Sequence, residues 1–152
     1  MRTQQLRYLG AGLAFLVAAL HLFHPDWGFV TLALILTFDS PLSHLLHDPR
    51  PVAFVVSALA IIIGINLVLV GFPRKPIYLL GMLLLATYFV GYFAWHLTGH
   101  GGLFPGREPH YHGLAPLEAI VAHMQEDVWA RIAKLAEALL FCVLALLYHR
   151  ES

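Results

Sequence analysis

Long runs with almost no charge alternate along this chain with short polar connectors. Residues 6–24, 51–72 and 76–98 are mostly apolar, and about 20 such residues are what a helix needs to cross roughly 30 Å of hydrocarbon. Proline and glycine punctuate them: Pro25 closes the first, Pro51 opens the second, Pro73 and Pro76 bracket a turn, and Gly99 suits a helix C-terminus. A fourth run, 129–149, is strictly apolar only from Ala138 to Tyr148. Arg131, Lys134 and Glu137 occupy its first third, with Lys134 and Glu137 spaced to pair on one helix face.

Two segments break the pattern. In 27–47 an apolar stretch meets Asp39, Ser40 and Pro41. A charge at the membrane centre costs about 3 kcal/mol and proline breaks the helical ladder. The segment therefore reads as a re-entrant or interfacial helix, followed by a short helix capped by Ser40; a kinked fifth span is the alternative. Residues 114–128 place Leu117, Ile120, Val121 and Met124 on one helical face and Glu118, Gln125 and Glu126 on the other, the pattern of an amphipathic helix lying on an interface. The expected fold is an all-α integral membrane protein, one domain over 1–152, with four transmembrane helices in one bundle.

Composition agrees. The chain is 59% hydrophobic and 12% charged, with a mean hydropathy of +0.73, which points to the lipid bilayer. Nine basic and nine acidic residues cancel, leaving no electrostatic footprint for nucleic acid. The single Cys142 excludes an intrachain disulfide and reads as a small buried hydrophobe. The basic-then-apolar N-terminus reads as an uncleaved first span rather than a signal peptide. Arg2, Arg7, Arg74, Lys75 and Arg150 against Arg50 and Arg107 place the N-terminus inside by a narrow margin, in the cell membrane.

The ten histidines carry the candidate chemistry. Spans 51–72 and 76–98 leave one membrane face and return to it, so His44, His47, His96, His100, His110, His112 and His123 share a face. With four spans His21 and His24 join them, and only His149 lies opposite. HLFH at 21–24 and HLLH at 44–47 are i, i+3 pairs. His21 continues a stripe of Gly10, Ala14 and Ala18, and Ala53, Ser57, Ala60 and Gly64 form a second stripe, where helices pack closely. Tyr88, Tyr92 and His96 share a face of the third span.

Imidazoles with few carboxylates and no thiolate suit copper, zinc or iron, or axial ligation of haem b. His21, His24, His44, His47, His96, His100 and His123 are the candidate metal ligands, His21 and His96 the pair for a haem. Asp39, Glu126 and Tyr92 are further candidates. The HxxH and HxxxH spacings resemble the histidine boxes of membrane di-iron desaturases and hydroxylases. The resemblance is confined to spacing: the chain has no HxxHH box, and no residue role follows from it. The expected function is a redox or metal-handling component, or a small subunit of a membrane complex beside other membrane-protein subunits. The alternatives are an assembly subunit without a cofactor and a membrane-embedded metal-dependent enzyme.

Overall fold

The structure is a computed structural model describing residues 2–102, 108–111 and 113–151. Among these the chain forms seven α-helices and no strand: α1 Thr3–Leu22, α2 Phe29–Ile35, α3 Pro41–His47, α4 Arg50–Leu69, α5 Arg74–Leu97, α6 Pro116–Glu126 and α7 Val128–Arg150. Helices α1, α4 and α5 are long and apolar enough to cross a membrane.

The four long helices pack side by side. Helix α1 lies between α4 and α7, and α7 between α1 and α5. Directions alternate. Arg7 at the start of α1 meets Glu151 just beyond α7 at 2.7 Å, while Trp129 at the other end of α7 donates its indole N–H to the Leu20 carbonyl at 3.0 Å. The Tyr78 hydroxyl, near the start of α5, also donates to Glu151. Two apolar clusters hold these contacts, one of Leu6, Tyr78, Val143 and Leu147, the other of Val17, Leu85, Ala136 and Leu140. The outer surface stays apolar, with Phe15, Val56, Leu80 and Leu139 exposed.

The 27–47 segment divides into α2 and α3, neither of which buries a residue. Pro41 opens α3 at its first position and lacks an N–H; Ser40 stands at the cap position but its side chain makes no capping bond. The amphipathic helix stops at Glu126 because Asp127 turns extended, its carboxylate accepting the Ala130 N–H at 3.0 Å to cap α7.

Two side-chain expectations need correction. Cys142 is exposed on the outside of α7. The buried face of α4 runs through Pro51, Val55, Ser57 and Ala58, leaving Ala53 and Ala60 outside, because a helix apolar all round does not mark its own inner face.

Candidate metal centre

Helix α5 ends because Gly99, Gly101 and, between them, His100 all adopt positive φ, at 69°, 97° and 54°. Glycine reaches this region without cost, and a histidine there marks a turn held by its surroundings. The turn folds the chain back so that His110 N–H donates to the Gly99 carbonyl at 2.9 Å. A Cβ on Gly99 would come within 2.8 Å of His110 N, so the close return requires glycine there.

This turn carries His100 to His96, and α6, packed on α5, brings His123 to both. Ring centroids are 5.1 Å apart for His96–His100, 4.9 Å for His96–His123 and 4.8 Å for His100–His123. One nitrogen from each lies within 4.8 Å of the others. The three rings share a further feature: Nδ1 lies 2.8 Å from Tyr92 O in His96, 2.7 Å from His110 O in His100, and 2.7 Å from Ala119 O in His123. A carbonyl only accepts, so each Nδ1 must carry the proton and donate. Each neutral ring then bears its lone pair at Nε2, the orientation in which backbone carbonyls hold metal-binding histidines. This histidine triad could hold a metal ion. Tetrahedral zinc with Zn–N of ~2.05 Å wants nitrogens about 3.3 Å apart, so closing on an ion takes a shift of roughly an ångström.

The other sequence candidates fall elsewhere. Tyr92 stacks on His96 at 4.3 Å and supplies the carbonyl noted above. His24 is buried, and its Nδ1 accepts the backbone N–H of Asp26 and Trp27 at 3.1 and 3.3 Å. Its proton therefore sits on Nε2, the reverse of the triad. Burial pushes the His24 imidazole below its ordinary value, against an opposing pull from Asp26. His21 lies in a separate cluster, its ring between Phe54 and Tyr88 with Nε2 towards Glu137. His44 stacks on Phe38 at 4.9 Å; both it and His47 are exposed on α3. Asp39 is exposed beside His44. His112 lies outside the described residues.

A hollow opens beside His123, bordered by His24, Asp26, Glu126, Asp127 and Trp129, so exposed Glu126 stands at the edge of the triad's surroundings. Sequence reasoning missed how the region is braced. Arg50 lies between the rings of Trp27 and Trp95, 4.2 and 3.9 Å from their centroids, and pairs with Asp48 through two nitrogens. The signal was an Asp-x-Arg at the start of a span with tryptophans at the same level.

Together these features define a helical bundle with membrane-length apolar helices and a three-histidine cluster at one end. No family model, curated protein or solved structure matches this chain.

Proposed function

We propose that this is an integral membrane protein with four spans, α1, α4, α5 and α7, that binds one zinc or copper ion through Nε2 of His96, His100 and His123. The observation that carries the reading is the shared orientation of the three rings, each held by a backbone carbonyl at Nδ1. Imidazole donors suit zinc and copper, and three of them supply three positions of a tetrahedron. The fourth position is left for water, a substrate or a further donor, and the hollow beside His123 gives access to it. The haem reading loses support because both nitrogens of the His21 ring face other groups, Nδ1 the Val17 carbonyl and Nε2 Glu137.

Helices α2 and α3, with Leu34, Leu42 and Leu46 exposed, lie in the membrane interface or re-enter it. The basic end of the bundle, with Arg2, Arg7, Arg74, Lys75 and Arg150, faces the cytoplasm, and the triad the opposite side. The protein works there as a metal-handling component. Glu126 at the edge of the hollow favours a second reading, a metal-dependent enzyme, in which this carboxylate would serve as the general base beside the three histidines.

Titrating the metal-stripped, full-length protein in nanodiscs with zinc and with copper(II), against a competing chelator, tests the binding claim. We expect one ion per chain, with each of His96→Ala, His100→Ala and His123→Ala losing more than the about 10–100-fold that an outer-shell partner costs. Affinity unchanged in all three variants would refute the site.

A further inference from the structure

A second cluster lies inside the bundle, away from the triad. Glu137 on α7 is fully buried, and His21 on α1 is 2% exposed. Oε2 of Glu137 accepts from Lys134 Nζ at 2.7 Å. Its other oxygen, Oε1, lies 3.4 Å from His21 Nε2 and receives no hydrogen bond among the described residues. On the opposite edge of the same ring, His21 Nδ1 lies 2.8 Å from the Val17 carbonyl.

Both ring nitrogens of His21 therefore face acceptors, while a neutral imidazole carries a single N–H. With either tautomer, one contact sets lone pair against lone pair in a buried place, where an unsatisfied polar atom is costly. One added proton makes both nitrogens donors and satisfies Val17 O and Glu137 Oε1 together. The surrounding groups do not supply that proton. From α5, Tyr88 stacks on His21 at 4.4 Å, but its hydroxyl turns to α4, donating to Ala53 O at 2.8 Å and contacting Ser57 Oγ. Tyr92, also from α5, faces Lys134, whose ammonium lies 5.3 Å from its ring. From α4 the neighbour is Phe54, which carries no proton to give. His24, one turn beyond His21, keeps its Nδ1 on the backbone. Lys134 is the charged neighbour from α7, and it is engaged at Oε2.

We propose that His21 and Glu137 form a proton-binding site inside the bundle, holding one exchangeable proton between Nε2 and Oε1 and tying α1 to α7 when it is occupied. Uptake consumes one H⁺ from water and turns a neutral imidazole facing a carboxylate into an imidazolium–carboxylate pair. Only the N–H bond forms, and no electrons are transferred. A proton fits better than a metal ion because the Lys134 ammonium already sits on the carboxylate, and a divalent cation would add repulsion.

Acid–base difference infrared spectroscopy on the full-length protein in nanodiscs, with isotope-labelled histidine, tests the site. In the wild type we expect a glutamate carboxylate band and an imidazole ring band to change together in a one-proton event. Both changes should vanish in His21→Gln and in Glu137→Gln, variants whose helical circular dichroism is checked alongside. Glu137→Gln leaving the imidazole change intact overturns the proposal, and so does a wild type in which the two bands change independently. Wild-type spectra decide the matter even where a variant fails to fold. Zinc uptake by His96→Ala/His123→Ala that disappears on adding Glu137→Gln would also overturn it, making the pair a metal site instead.

Discussion

His21, His96 and His123 share one local device, Nδ1 set against the carbonyl four residues earlier on their own helix, and differ in what surrounds the ring. Those of His96 and His123 lie against each other and against His100; that of His21 turns Nε2 to a carboxylate. His24 uses the opposite tautomer, and protonation at Nδ1 would break its bonds to Asp26 and Trp27. Its value is lowered in the fold, so the unfolded chain takes up the proton first as pH falls. Stability associated with His24 is present above the ordinary histidine value of about 6.5 and lost below it. Chemical denaturation of the metal-free protein between pH 7.5 and about 5 should show this loss, and His24→Gln, which cannot titrate, should flatten the slope. Glu137→Leu would leave Lys134 without its carboxylate inside the bundle, an expected loss of about 3–5 kcal/mol. Lys134→Leu/Glu137→Leu should recover much of it, since replacing both members of a buried pair is often near neutral. A double variant as weak as the single would show that the ion pair is not what matters.

Among the elements, the turn after α5 bears most on the site. Gly99→Val meets both a positive φ and the returning backbone of His110, so it should lower metal affinity at least tenfold, like loss of an outer-shell support, without touching a ligand. Gly12→Ala, whose Cβ meets nothing within 4 Å, should leave binding unchanged; equal losses in both would point to general damage. Apolar run length located the long helices to within a few residues, because that length is set by the local chain. The stripe leading to His21 was legible too: Gly10, Ala18 and His21 are buried on α1, and Ala14 is half-buried. The triad was legible only in part. His96 and His100 are neighbours in sequence, whereas His123 joins them through the packing of α6 against α5, a tertiary angle that no periodicity encodes. The same holds for His44 and His47, whose HLLH spacing promised a site while α3 leaves them on the outside.

For the whole molecule, the alternating directions of α1, α4, α5 and α7 put Arg2, Arg7, Arg74, Lys75 and Arg150 at one end and the triad, with Arg50, at the other. Helix α7 is the least apolar of the four: Glu137 is fully buried and Lys134 pairs with it at 2.7 Å, while Arg131 is exposed. A four-span arrangement then places Gln4 and His149 on one side of the membrane and Leu117 on the other. Single cysteines at these positions in a Cys142→Ser background, labelled with an impermeant maleimide in sealed vesicles, should report that division. Gln4→Cys and Leu117→Cys reacting from the same side would favour five spans, and His149→Cys reacting from the side of Leu117→Cys would favour a re-entrant α7. The central claim is tested most directly by X-ray absorption at the zinc edge of the loaded, full-length protein. The account predicts three imidazole nitrogens at 2.0–2.1 Å, falling to two in His123→Ala; a spectrum with fewer than three imidazoles, or one that His123→Ala leaves unaltered, would contradict it.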